Sequence, residues 1–398
     1  MLKSVYCFGL LSLISITNFA QNRSIKFEPS SFKEIKEKAL KENKLIFIDA
    51  FTTWCGPCKQ MAKNIFTNDT VADYYNKNFV NAKIDMEKGE GIELAKQYDV
   101  RCYPNLLFVD GNGNLVHRIA GSMSVKEFVA LAEVTKIPEK CFSNFTKNYE
   151  ANKMNSDFLS SYIEARENTC IESENLINDY FSLQQRKDLI TKKNWAMIKS
   201  YVNSVESKEF DYVITNKDQF EKAFDSREVN DKIEQVYAHS LMSLVKESPF
   251  DESKYKNLKE KMSSLGLPNT KFILFETDLA LAEKNADWTS YAQLAIDNVE
   301  MFYLEDANIL NAISWNFYEK VENKNALSKA EEWAMRACEI ESSYANLDTY
   351  ASVLYKLGKK QQATDIANKA INTAKKDKLM ASDYQGTIDL LKKIKELK

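Results

Sequence analysis

The sequence predicts an α/β domain followed by a longer all-α region of tetratricopeptide-like helix pairs. Three observations carry this. Up to Pro138, short apolar runs alternate with amphipathic segments in the order β-α-β-α-β-α-β-β-α, over about 110 residues. Beyond Pro138 strand signals largely disappear, and long amphipathic stretches follow one another, such as SDFLSSYIEARE from Ser156 and NWAMIKSYVNSV from Asn194. In the last third, one pattern of aromatic and small residues recurs 33 positions later.

Taken in order, the first twenty residues stand outside the fold. Met1-Leu2-Lys3 is a basic start, Val5 to Ile16 is largely apolar, and Ala20 precedes a candidate cleavage point, the layout of a secretory signal peptide. The apolar run is shorter than the roughly 20 residues a spanning helix needs. Ile25 to Phe27 is a short strand candidate. Ser31 and Glu34 form a capping box that opens a helix through Glu42. LIFIDAF, Leu45 to Phe51, reads as a strand buried on both faces. Cys58 to Phe66 and Thr70 to Phe79 are helical, Val80 to Asp85 is a strand, and Ile92 to Tyr98 is a helix. LLFVD (106–110) and LVHRI (115–119) flank GNGN and predict a hairpin. Ser124 with Glu127 opens a last helix through Glu133.

In the last third, Phe317-Tyr318, Val321, Asn325, Ala330, Trp333-Ala334 and Ala337 recur as Tyr350-Ala351, Leu354, Gly358, Ala363, Ile366-Ala367 and Ala370. Asn325 and Gly358 both tolerate the left-handed conformation that ends a helix. The alanines let antiparallel helices approach closely. This region resembles tetratricopeptide-type repeats, and Tyr291-Ala292 with Ala295 forms a poorly spaced third copy. The predicted organisation is 1–20 signal peptide, 21–137 α/β domain, 138–270 helical region and 271–398 helical repeat-like region.

Composition narrows the function. A chain of 398 residues with 44% hydrophobic content builds its core without staples. A net charge of −3 gives no polyanion signal, which argues against nucleic acid. Two histidines, His117 and His239, make a zinc enzyme or a histidine pair hard to assemble. If Cys7 leaves with the signal, six cysteines remain, Cys55, Cys58, Cys102, Cys141, Cys170 and Cys338, in a compartment where disulfides form.

The chemistry centres on DAFTTWCGPCKQM, residues 49–61. A zinc site needs two further ligands, usually a second close pair, and the other cysteines are scattered. A staple across two residues restricts the unfolded chain little. The redox reading fits better. Cys55 falls at a helix N-terminus, where unpaired N–H groups and the helix dipole stabilise a thiolate and should draw its pKa from about 8.5 toward about 7. Pro57 suits the first turn, having no N–H to leave unpaired. Cys58, inside the helix, should be the more buried partner. Cys55 then attacks a disulfide and Cys58 resolves the mixed disulfide.

WCGPCK resembles the thioredoxin active-site motif. The resemblance covers residues 28–135 and is similar in its flanks to the exported branch that includes the outer domain of membrane thiol:disulfide interchange proteins. It implies a thioredoxin fold with no cofactor beyond the Cys55–Cys58 disulfide, and no metal. It makes Asp49 a buried proton acceptor for Cys58, often paired with a lysine, here Lys83. Pro104 becomes the cis-proline facing the disulfide, and Tyr103, Trp54, Gly56 and Pro57 become substrate contacts. Gly121 precedes the last helix, as in that family. Asn105 departs from the pattern, where threonine is common.

The resemblance implies a protein-disulfide reductase outside the cytoplasm, supplied with electrons by a membrane thiol-transfer protein. An isomerase, or a helical-repeat adaptor with an accessory redox domain, are the alternatives. Cys102 is expected as a small packed loop residue, with a third thiol that can be modified, or that links two molecules, as the sharper reading. His117 is expected as an exposed strand residue. Cys141, Cys170 and Cys338 are expected to be free and buried, with a Cys141–Cys170 bridge as the variant reading.

Overall fold

A computed structural model describes residues 23–396, so the signal-like segment and Cys7 lie outside the described residues. The chain divides into two compact units after Asp188.

In the first unit a four-stranded sheet has the order β2-β1-β3-β4, with β1 (Leu45–Phe51), β2 (Phe79–Asp85), β3 (Asn105–Val109) and β4 (Leu115–Ala120). The β1–β2 pair is parallel, and β3 is antiparallel to both β1 and β4. Residues 106–109 and 115–119 pair as the predicted hairpin, with an irregularity between Phe108 and Val109. Ile25 to Phe27 yields a single bridge, Phe27 to Asn81.

Five helices complete the α/β order: α1 (Phe32–Glu42), α2 (Gly56–Asn64), α3 (Asp69–Asn78), α4 (Gly91–Gln97) and α5 (Val125–Val134). The capping boxes of Ser31/Glu34 and Ser124/Glu127 both form. The central strand is buried on both faces because its alternation feeds two cores. Ile46, Ile48 and Ala50 pack with Phe32 and Ile35 of α1 and Leu94 of α4. Phe47 packs with Met61 of α2, Val71 and Tyr75 of α3 and Phe128 of α5. Tyr75 stacks on Phe128 at 4.2 Å and donates its hydroxyl to the Phe128 carbonyl at 2.8 Å. These rings fix α3 and α5 against the face of β1 that carries Asp49.

The unit continues past Pro138 through α6 (Phe142–Asn152), α7 (Ser156–Glu167) and α8 (Glu174–Ser182). His117 on β4 accepts the first α6 amide, from Phe142 to Nδ1 at 3.1 Å. The Ala120 amide donates to the Asn168 carbonyl at 2.7 Å. These bonds tie the α6–α8 segment to the sheet edge, which is why the compact unit runs beyond the composition change at Pro138.

The second unit is helical throughout its described residues. In the helices Lys324–Ile340 and Lys360–Lys376, Ala330, Ala334 and Ala337, then Ala363, Ala367 and Ala370, are all fully buried. The 33-residue spacing thus marks equivalent core positions, consistent with stacked helix pairs. Tyr291, Ala292 and Ala295 are buried on the helix Trp288–Phe302. The Asn325–Gly358 equivalence is corrected. Gly358 is left-handed at φ +78, but Asn325 lies inside the first turn of its helix and donates its amide to the N-cap Asn323. The start of that helix is set by a side-chain cap rather than by a left-handed stop.

Candidate functional site

Cys55 is the N-cap of α2, with Pro57 in its first turn. The Cys58 amide donates to Cys55 Sγ at 3.1 Å, so the helix start directs an otherwise unpaired N–H at this sulfur. The two cysteines are joined as a disulfide with Cα atoms 5.3 Å apart. The expected contrast in burial is absent in this oxidised pair, since each residue is 2% exposed. In this oxidised pair Cys55 Sγ faces the Cys58 amide. Exposed Trp54, Gly56 and Pro57 form the rim.

Asp49 is 1% exposed, and the register of β1 and β2 sets it directly opposite Lys83. Lys83 donates to Asp49 Oδ2, and its ammonium lies 4.1 Å from the centre of the Phe51 ring. Asp49 Oδ1 has no partner among the described residues. Burial outweighs the attraction of Lys83 and holds the Asp49 carboxyl above the usual carboxylate range. A buried carboxyl that is reluctant to ionise and has one open lone-pair side is suited to receiving a proton.

The Tyr103–Pro104 bond is cis, and the Pro104 carbonyl accepts from the Gly121 amide at 2.9 Å. Tyr103 meets Trp54 edge-on at 5.9 Å. Trp54 is 65% exposed, yet its indole N–H is held by both carboxylate oxygens of Glu87 at 3.0 Å. Glu87 carried no signal in the sequence, because its partner is 33 positions away.

Arg118 is also new to the site. It is 3% exposed and has no carboxylate partner among the described residues. Its guanidinium donates to the carbonyls of Tyr98 and Asp99 and to Asn105 Oδ1. Burial lowers its pKa to about 10. It grips the chain on both sides of the loop that carries Tyr103 and Pro104, and Asn105, the departure from the family pattern, is one of its partners. The one hint was a cation on a strand, in LVHRI.

Three cysteine and histidine expectations are corrected. Cys102 is neither a packed small residue nor a free thiol: it is bonded to Cys170 across 68 positions. Cys170 is therefore neither free nor buried, since it is exposed and bridged, and the Cys141–Cys170 variant falls with it. Cys141 is free and buried, as expected, and burial pushes its thiol up. His117 is not an exposed strand residue. Helix α6 covers it, and burial lowers its pKa to about 4. Cys338 is free, as expected, and burial raises it to about 11. Among the described residues no group of three or more His, Cys, Asp or Glu is arranged to hold a metal ion, and no helix is long and apolar enough to cross a membrane.

Comparison with known proteins matches residues 32–136 to the Thioredoxin-like domain family. Over 95 residues, 24% of this chain and 83% of the relative, it is 36% identical to Thioredoxin-1 of Drosophila melanogaster. Over 124 residues, 29% of this chain but only 20% of the relative, it is 31% identical to the thiol:disulfide interchange protein DsbD of Colwellia psychrerythraea. Among solved structures, a candidate disulphide-isomerase from Bacteroides thetaiotaomicron is 47% identical, with a TM-score of 0.28, covering 30% of this chain and 98% of its own.

Proposed function

This chain belongs to the thioredoxin family of thiol–disulfide oxidoreductases, and from that premise we propose that it reduces protein disulfides outside the cytoplasm, with Cys55 and Cys58 as its redox pair. The observation that carries this reading is the Cys58 amide aimed at Cys55 Sγ from the start of α2. In the dithiol form that N–H and the helix terminus stabilise a Cys55 thiolate.

The thiolate attacks one sulfur of a substrate disulfide, and the other substrate sulfur leaves and takes a proton. Cys58 then loses its proton to Asp49 and attacks Cys55 Sγ, which releases the second substrate thiol and closes the Cys55–Cys58 bridge. Two electrons pass to the substrate. The Tyr103 amide has no partner among the described residues and is free to pair with an extended substrate chain. Trp54, Gly56 and Pro57 flank that chain.

The reducing direction is supported by glycine-proline between the cysteines, as in thioredoxin, whose potential is near −270 mV against about −120 mV for the oxidant DsbA. The signal-like N-terminus and the likeness to an interchange protein support a site of action outside the cytoplasm, with a membrane thiol-transfer protein as electron donor.

The test is a Cys58→Ala variant, which should accumulate substrates as mixed disulfides on Cys55. Insulin reduction and refolding of a scrambled substrate, run side by side, separate reductase from isomerase. A potential above about −150 mV, toward that of DsbA, would count against the reductase reading.

A further inference from the structure

The Cys102–Cys170 bridge takes no part in the cycle above, yet Cys102 lies two residues before Pro104. Val100 is anchored by its amide to the Ala95 carbonyl at 2.9 Å, and β3 begins at Asn105. Between these fixed points Arg101, Cys102 and Tyr103 donate no backbone hydrogen bond among the described residues, and Pro104 has no amide to donate. The tethers of this segment are few. Arg101 pairs with Asp99 at 2.8 Å and Glu172 at 3.6 Å, both solvent-exposed contacts of small net worth. The half-buried Tyr103 ring touches Trp54 and packs against the core of Ile46, Ile48 and Ala50, and the Pro104 carbonyl accepts from the Gly121 amide. The bridge is the one covalent tie between this loop and the turn joining α7 to α8.

At the other end, Cys170 is exposed and left-handed at φ +58, a conformation that disfavours a residue with a Cβ. A bridge with one end exposed and on a strained, left-handed backbone is the kind that exchanges with external thiols, whereas a buried, relaxed one persists.

We propose that Cys102–Cys170 is a second thiol–disulfide exchange site, opened by a dithiol, whose redox state sets how firmly the Tyr103–Pro104 loop is held. A thiolate of the incoming dithiol attacks Sγ of Cys170, the more exposed partner. The bond to Cys102 breaks, and Cys102 leaves and takes a proton. The second thiol of the dithiol then attacks its own mixed disulfide, closing a new bridge and releasing Cys170 as a thiol. The dithiol is oxidised by two electrons and the protein bridge is reduced by two. The freed loop keeps the Arg118 grip at Tyr98, Asp99 and Asn105, so the loop loosens while the sheet stays intact.

The test uses the full chain carrying Cys55→Ser and Cys58→Ser, titrated with dithiothreitol, alkylated and read by peptide mass spectrometry alongside limited proteolysis. The bridge should open while the fold persists. Cleavage by trypsin after Arg101, in the loop, should then accelerate roughly tenfold, with no cleavage after Lys83 inside β2. A bridge that opens only when the whole first unit unfolds overturns the proposal, as does opening without faster cleavage in the loop. Cys55 and Cys58 are absent from this variant, so its failure leaves the reductase reading untouched. In a Cys102→Ser/Cys170→Ser protein with the Cys55–Cys58 pair intact, KM for a disulfide-linked peptide should rise about threefold to tenfold, with kcat on a small aromatic disulfide unchanged. An unchanged KM overturns the proposal.

Discussion

Cys55 and Cys58 close a bridge across three positions at the first turn of α2, whereas Cys102 and Cys170 close one across 68, between a loop and a left-handed turn. The first sits beneath an exposed rim with a helix amide aimed at its sulfur and a buried carboxyl on the strand that leads to it. The second has no comparable amide or buried carboxyl among the described residues, and it joins parts of the chain that nothing local would bring together. A short bridge restrains little of the unfolded chain and is free to cycle. A long one restrains a great deal, so opening it changes the molecule.

The sharpest way to break this contrast is to remove each bridge in turn. Cys55→Ser should abolish turnover, a loss of about a thousandfold or more, because no other cysteine among the described residues has a helix amide aimed at its sulfur and a resolving thiol three positions on, while leaving the denaturation midpoint nearly unmoved. Activity above that floor would place the chemistry elsewhere. Cys102→Ser/Cys170→Ser should do the reverse on stability, lowering unfolding free energy by up to about 4 kcal/mol by loop entropy, as read by denaturant titration of the oxidised protein.

His117 lies on β4, the edge strand that α6 packs against. Its pKa of about 4 lies below the ordinary 6.5, so the fold favours the neutral ring. The stability this contributes is complete above pH 6.5 and is lost as pH falls through 4, by on the order of 2–3 kcal/mol. His117→Gln, which keeps an acceptor for the Phe142 amide, should flatten that acid limb in denaturation midpoints measured from pH 7 to 4. A limb of unchanged depth would mean another group carries it.

The smallest effect is expected at Asp49. Asp49→Asn should slow resolution by Cys58 about tenfold at neutral pH, with the mixed disulfide lasting longer in a rapid-quench assay. Because burial raises this carboxyl, the fold is favoured at low pH and loses stability as pH rises through the raised pKa. The variant should therefore be more stable than the parent above that range, as read by denaturant titration. A less stable variant would show that the pairing with Lys83 outweighs burial.

Most of the α/β order was legible because its signals are local. The capping boxes of Ser31 and Ser124, the LIFIDAF run and the GNGN hairpin each act within a few residues. The Asp49–Lys83 pair was legible only through the family resemblance, and the parallel register of β1 and β2 is what brings it about. His117 misled because the alternation of a strand gives its two faces without saying what covers each. Helix α6, which covers this one, begins 25 positions later. Asn325 misled because a residue that tolerates the left-handed state also suits the start of a helix.

The sequence by itself determined the CGPC turn at a helix start, the strand before it and the change to helices after Pro138, because spacing, capping and alternation are properties of neighbouring residues. Only the tertiary structure decided the partners of Cys102, Trp54 and Arg118. Each depends on where a distant turn arrives, at Cys170, at Glu87 and at the Tyr98–Asn105 loop. The packing of α6 to α8 on the sheet edge sets the first, the parallel β1–β2 register the second and the β3–β4 pairing the third, and no short stretch of sequence contains any of them.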